Sequence, residues 1–429
     1  MKIAEMLDRE ELVIFLENEI EKEVYRQRFA EKSEGVKYPD VSSVLALTRS
    51  FILGDYMPEL PDRLRITKLG SDKKRIIYVY PLLDRLVLKA VHYCLARTDL
   101  GLSPNCLAFR PGFSIHGAFR SVIRRYRPDY ACVRIDIRNY FNSIPITNII
   151  GVLEAVLCGD RELVTAVSRL LRRPEVLENN RVVADEEKGV MAGMPLSPLL
   201  ANLYLTEFDK KAESWAPVYA RYSDDIIFFC PPERTEELWE RIRTEFSGYG
   251  LTINDEKSSI ALPGQAWEFL GLSYRDGRIG LSAASIRKMK GKISRAARKL
   301  YRWKVRKAAS TERAARALIR KFQYKFYGSG LKDDELTWSR WYFPLISDAD
   351  DLREIDAYMQ EMLRYLETGR HTKKNYKQFP YERFRRLGYI PLTSAFYGVQ
   401  KVTEEEEGSR RRRTHRRAPN CFSGENTKE

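Results

Sequence analysis

No uninterrupted apolar run of about 18 residues, the length that would read as a membrane span, occurs anywhere in the chain. Its first residues, Met1 to Glu23, are charged and amphipathic and lack the apolar core of a secretory leader, so a cytoplasmic protein with no membrane partner is expected. Cysteine is scattered: Cys94, Cys106, Cys132, Cys158, Cys230 and Cys421 form no Cys-x-x-Cys pair. That spacing excludes a zinc ribbon and a disulfide framework and predicts reduced, mostly core thiols. Acid is almost missing from Arg287 to Lys325, where Glu312 stands alone against sixteen Lys and Arg.

What is present fits a globular protein of two to four domains or subdomains: 429 residues, 44% of them hydrophobic, with a net charge of +15. The acid-poor segment carries a charge of that size by itself, so the polyanion that such a balance implies is gripped there. Within it Ile286, Met289, Ile293, Leu300 and Trp303 recur at helical spacing. Such a helix turns Arg287, Lys288, Lys292, Arg295, Arg298 and Arg302 outward, toward a nucleic-acid backbone or, in the alternative, simply toward solvent.

The chain is organised around Tyr222-Ser223-Asp224-Asp225, set between the apolar-rich Val218 to Tyr222 and the apolar Ile226 to Cys230. The pattern predicts strand, tight turn, strand. Two carboxylates at a hairpin tip repel each other unless a cation lies between them, which points to a hard divalent metal. A solvated turn is the alternative.

Other segments supply candidates of the same kind. Lys68 to Arg75 reads as a basic loop before a strand at 76–80, and Lys68 and Arg75 can present two cations to a triphosphate. Leu82 to Leu95 predicts a buried helix. Leu107 to Ser114 holds a Pro-Gly turn beside Arg110 and two aromatics, suited to a template strand or to packing alone. Tyr130 to Ile137 reads as a strand with Asp136 in its apolar end, where a carboxylate is costly unless paired or metal-bound. Phe141 follows. Ala192 to Asn202 is rich in small residues and proline; Gly193 permits close backbone approach to a ligand and Pro198 opens a helix running toward Asp209. A helix from about Glu233 to Tyr249 and a short strand at Trp267 to Leu272 complete the region.

The order of these motifs resembles that of bacterial reverse transcriptases: Asp136 before aromatics, Gly193-x-Pro195-x-Ser197-Pro198, Tyr222-x-Asp224-Asp225, Gly250-Leu251-x-Ile253-Asn254-x-x-Lys257, and Phe269-Leu270-Gly271. The resemblance covers roughly residues 60 to 330. It implies an α+β right-hand polymerase with fingers, a palm of mostly antiparallel sheet, a helical thumb and a helical C-terminal extension. The expected boundaries are an N-terminal helical extension (1–65), fingers and palm (66–275), a basic thumb (276–330), an RNA-binding extension (331–400) and a disordered charged tail (401–429). Carried over by position, Asp136, Asp224 and Asp225, with the Ile137 carbonyl, look like the ligands of two Mg2+ ions. Lys68 and Arg75 resemble the cations that clasp the nucleotide, Phe141 the gate against a ribose 2′-hydroxyl, and Lys257 the basic residue that assists the leaving pyrophosphate. Ala192 departs from the glutamine usual before the glycine, which puts nucleotide selectivity in question.

The implied activity is RNA-directed DNA synthesis, with RNA template, nascent DNA and dNTPs as partners. With four histidines and no Cys/His nuclease module, and without the Asn-Ala-x-x-His and Val-Thr-Gly elements of retron enzymes, the chain looks most like the stand-alone class 2 enzymes of bacterial antiviral defence, which copy a non-coding RNA. Group II intron-like or retron-like enzymes are alternatives, as is a catalytically silent RNA-binding scaffold. Beyond the thumb, Ile355, Met359, Met362, Leu363 and Leu366 predict a helix. Lys373 and Lys374 open a run of interleaved bases and aromatics suited to single-stranded RNA or, alternatively, to capping the helices.

Overall fold

The apolar runs on either side of Ser223-Asp224 become strands because β-branched and aromatic side chains pack well on a pleated surface. In the computed structural model, which describes residues 3–29 (25–29 as backbone only), 38–67, 74–186, 188–328 and 337–398, they form β6 (Val218–Tyr222) and β7 (Asp225–Cys230). Lys68 and the tail at 401–429 lie outside the described residues. The chain divides into two units, Met1–Leu270 and Gly271–Glu429.

In chain order the first unit contains α1 (Glu10–Phe29), α2 (Val41–Leu53), the hairpin β1 (Asp62–Thr67) and β2 (Lys74–Val79), α3 (Leu82–Leu95), α4 (Ile115–Arg125) and β3 (Ala131–Asp136). There follow α5 (Tyr140–Ser143), α6 (Ile146–Val156), α7 (Arg161–Arg172), the hairpin β4 (Glu175–Glu178) and β5 (Arg181–Ala184), α8 (Ser197–Tyr204) and α9 (Thr206–Ala212). After β6 and β7 come α10 (Thr235–Gly248), β8 (Ser259–Ala261) and β9 (Trp267–Phe269).

Strands β6, β7, β3 and β8 form an antiparallel sheet in that order. A second sheet, β2-β1-β4-β5, joins two antiparallel hairpins through a parallel contact of Asp62 with Leu177. The core runs from Leu12 and Leu16 of α1, through Leu86, Leu88 and Val91 of α3 and Val133 and Ile135 of β3, to Phe246 of α10. An antiparallel palm-like sheet backed by helices is the α+β polymerase architecture that the motif order implies.

Local differences from the sequence reading have local causes. The helix expected to run on toward Asp209 breaks at Leu205 into α8 and α9. The strand expected through Leu272 stops at Phe269, because Leu270 takes φ 54° and leaves the extended region. In the hairpin β4–β5 only Val176 of β4 is buried and no residue of β5 is, so its periodicity is weak in the sequence.

The second unit comprises the hairpin β10 (Leu272–Arg275) and β11 (Arg278–Leu281), then α11 (Ala283–Arg306), α12 (Thr311–Tyr327), α13 (Trp338–Tyr342), α14 (Asp350–Thr368), α15 (Lys374–Gln378) and α16 (Tyr381–Arg386). Ser282 and Ser310 cap α11 and α12 by accepting hydrogen bonds from the backbone N–H three residues on. Helix α14 buries Ile355, Met359, Met362, Leu363 and Leu366, the stripe read from the sequence.

Candidate active site

Antiparallel register sets the three carboxylates. Asp136, last residue of β3, is the direct cross-strand partner of Asp225, first residue of β7, so their side chains share a face. Asp224 lies in the two-residue turn between Tyr222 and Asp225. Ser223 has φ 63° and Asp224 a negative φ, the pattern of a type II′ hairpin. The Ile137 N–H donates to the Asp224 carbonyl at 3.3 Å, which ties the end of β3 to the hairpin tip.

Each flanking carboxylate is held. Asp136 accepts from the Lys257 ammonium at 2.9 and 2.8 Å and from Asn254 Nδ2 at 2.7 Å, while its N–H donates to Ser258 Oγ at 3.0 Å. Asp225 accepts from Arg134 Nε at 2.9 Å and Nη2 at 3.3 Å. Arg134 is two residues before Asp136 on the same face of β3, a signal legible in the sequence and missed there. Burial, and then the charges of Asp136 and Asp225, push the Asp224 carboxyl above the usual carboxylate range. Burial also raises Asp225, against the pull of Arg134.

A buried charge network supports the hairpin from behind. Arg221 and Asp209 are both fully buried and paired, with Arg221 Nε and Nη2 at 2.7 and 2.6 Å from the carboxylate. The same guanidinium donates to the side-chain and main-chain oxygens of Asn202 and to the Ser223 carbonyl, and Tyr219 donates its hydroxyl to Asp209 at 2.5 Å. Arginine is the residue that can reach five acceptor oxygens from one buried position.

A cavity of about 510 Å³ is lined by Arg75 of β2, by Arg85, Lys89 and His92 of α3 and, from other chain segments, by Phe141, Ala192, Gly193 and Ser197. Three of the expected nucleotide-contacting residues, Arg75, Phe141 and Gly193, therefore meet in one place; the fourth, Lys68, is outside the described residues. Gly193 also has a second neighbour. With φ 109°, a Cβ there would lie 2.5 Å from the Tyr78 carbonyl, so the close approach that needs glycine is to the main chain of β2. Ala192 is fixed by its main chain, which accepts from the Tyr78 N–H at 2.8 Å and donates to Asn142 Oδ1 at 2.9 Å.

Residues 66–274 match the model of the reverse transcriptase (RNA-dependent DNA polymerase) family. Over that stretch, just under half of the chain, the protein is similar to reverse transcriptases. The chain is 30% identical over 158 residues to the group II intron-encoded protein LtrA of Lactococcus lactis subsp. cremoris, covering 37% of this chain and 26% of that one. It is 22% identical over 194 residues to the retron Ec86 reverse transcriptase of Escherichia coli, covering 43% and 55% respectively. The chain thus spans about a quarter and about half of these relatives. Among solved structures, telomerase of Candida tropicalis in complex with a fragment of telomeric RNA aligns at TM-score 0.43 and 14% identity, over 86% of this chain and 66% of that one.

The donor set at the hairpin suits a hard divalent ion: carboxylate oxygens, with Asp224 pushed toward protonation by burial and then by the neighbouring carboxylates. Among the described residues no group of three or more acidic, histidine or cysteine side chains is closed up around a metal position. Lys257 and Arg134 stand against two of the three carboxylates instead. Asp136, Asp224 and Asp225 could hold a divalent ion if those two cations were displaced or shared.

Outside the sheet, the expected nucleic-acid contacts are placed variously. Arg287, Lys288, Lys292, Arg295, Arg298 and Arg302 are all exposed on α11, while Ile286, Met289 and Ile293 are buried. Lys373 and Lys374 are exposed, and Arg364 of α14 stacks on Tyr376 at 4.2 Å and Phe384 at 5.0 Å. Arg110 is half-buried and donates to the Ser103 and Cys106 carbonyls, with its guanidinium 4.5 Å from the Phe113 ring. It braces its own loop. No described helix is long and apolar enough to cross a membrane.

Proposed function

We propose that this protein is an RNA-directed DNA polymerase that uses two Mg2+ ions and dNTPs to extend DNA on an RNA template. The observation that carries the reading is the cross-strand pairing of Asp136 with Asp225, with Asp224 at the tip between them. When bound, such ions activate a 3′-hydroxyl and stabilise the leaving pyrophosphate of an in-line displacement.

The chain's own residues supply the rest. Asp136, Asp224 and Asp225 bind the ions, and the Ile137 carbonyl is a further candidate ligand. Arg75, together with Lys68, neutralises the triphosphate; Phe141 crowds the ribose; Lys257, within reach of the site through Asp136, delivers positive charge to the leaving group. The exposed cations of α11 meet template and product backbones, and Lys373 and Lys374 with their neighbouring rings meet single-stranded RNA. The domain plan from N-terminal extension to RNA-binding extension stands as part of this proposal.

The motif order further suggests a cytoplasmic enzyme of bacterial antiviral defence whose template is one structured non-coding RNA. Two measurements test the proposal. Asp224→Asn is expected to remove nearly all Mg2+-dependent incorporation of labelled dNTP, and robust extension by that variant overturns the assignment. Strand-specific sequencing of nucleic acid co-purified from the native host is expected to give one abundant RNA in both proteins, with its complementary DNA in the wild type alone. A heterogeneous RNA pool without complementary DNA would favour an RNA-binding scaffold.

A further inference from the structure

Helices α1 and α3 lie against each other with a fixed antiparallel register. Phe15 meets Tyr93 with ring centroids 4.6 Å apart, Glu19 pairs with Lys89, and Glu23 pairs with Arg85 at 3.0 Å. Each step of four residues forward on α1 is matched by four backward on α3. Two carboxylates one helical turn apart therefore cover two cations one turn apart.

Those cations belong to the nucleotide cavity. Arg85, Lys89 and His92 fall on one stripe of α3 and line it together with Arg75, opposite Phe141 and Gly193; Phe15 and Glu19 of α1 line it too. A cavity that takes a polyphosphate is thus partly walled by a carboxylate. The ion pairs are not what docks α1, since Leu12 and Leu16 are fully buried in the core and Phe15 packs on Tyr93. Both pairs are largely enclosed, Glu23 at 6% exposure, so each carboxylate is matched to its cation rather than left to water. Their effect falls on the cavity: burial pushes the Glu19 carboxyl up, but Lys89 and Lys22 pull it below its usual range, so it stays charged and cancels Lys89.

We propose that Arg85 and Lys89 form a phosphate subsite of the nucleotide cavity, occupied by Glu19 and Glu23 until a phosphate of a nucleotide or of an RNA strand displaces them. This rests on the polymerase reading of the cavity and adds to it a control on access. Exchange of carboxylate for phosphate keeps both cations paired, so α1 yields its grip on α3 at this turn while its apolar half stays in place. Phosphate offers more acceptor oxygens than a carboxylate to an arginine fork and an ammonium.

The test is equilibrium binding to the full-length protein of two probes, inorganic tripolyphosphate and a labelled single-stranded RNA, in wild type and in the double variant Glu19→Gln, Glu23→Gln. The variant is expected to bind one or both probes roughly five- to tenfold more tightly, the scale of removing a competing ion pair. Tightening for tripolyphosphate alone assigns the subsite to the nucleotide, and for RNA alone to the strand. Unchanged or weaker binding of both overturns the proposal. A second variant guards against a general loss of folding: Glu19→Lys with Lys89→Glu keeps a pair between the helices and the same net charge on the cavity wall, but takes the ammonium off the α3 stripe that it shares with Arg85. It is expected to keep the wild-type thermal transition and to lose affinity for the probe; undiminished affinity likewise overturns the proposal. Binding shifts without Mg2+-dependent incorporation in the wild type would sink the polymerase reading and leave the subsite standing. Incorporation without binding shifts would do the reverse.

Discussion

Asp224 carries a charge that the surrounding structure resists. Burial, Asp136 and Asp225 raise its pKa in the folded protein above the value of an unfolded aspartate. Between those two values the folded state holds a proton that the unfolded state has released, so stability falls as pH rises through the window above about 4. Asp224→Asn escapes that loss. In metal-free thermal melts the variant is expected to gain a few degrees over wild type at neutral pH and much less near pH 4. Mg2+ should raise the wild-type transition and leave the variant's nearly unmoved. An equal difference at both pH values would show that the carboxyl is not strained. The cost of this charge was legible in the bare adjacency of Asp224 and Asp225. Its other half came only through the resemblance of the motif order, because Asp136 lies far earlier in the chain and nothing local pairs it with Asp225; the register does.

Among the elements, the hairpin that carries Asp224 depends on contacts from segments distant in sequence. Arg221 joins β6 to α8 and α9 through Asn202 and Asp209, and to the turn through Ser223. Arg221→Met should cost about 3–5 kcal/mol, because it strands a buried aspartate. Adding Asp209→Leu should recover part of the loss; a double variant worse than the sum of its singles would contradict this account. Gly193→Ala is expected to cost about 2–3 kcal/mol, since both its φ and the Tyr78 carbonyl oppose a Cβ. Gly101→Ala has a positive φ but no atom within 4 Å, so denaturant titration should show only about 1 kcal/mol there. The sequence marked Gly193 as a place of close approach. It assigned the approach to a ligand because the neighbour, β2, lies more than a hundred residues away.

For the whole molecule the charge distribution governs binding. The net +15 is matched by the segment that folds as α11 and α12, whose basic face is exposed. Replacing Arg295, Arg298 and Arg302 by Ala should flatten the dependence of log K on log salt by about 2 to 3, the change for three lost phosphate contacts. An unchanged slope in RNA-binding titrations would mean that these arginines face solvent alone.

The sequence by itself determined what depends on neighbours in the chain: helix α3 from Leu82 to Leu95, the strand–turn–strand around Asp224, the amphipathic α11 and the buried stripe of α14. Periodicity and turn chemistry are local, and short-range spacing encodes them. Only tertiary structure decided that Lys257 and Arg134 sit on the site's carboxylates, that Arg221 is a buried brace, and that Glu19 and Glu23 cover Lys89 and Arg85. Each of these is a pairing between segments brought together by packing. A single charged residue in a sequence looks the same whether it faces water, a partner or a ligand.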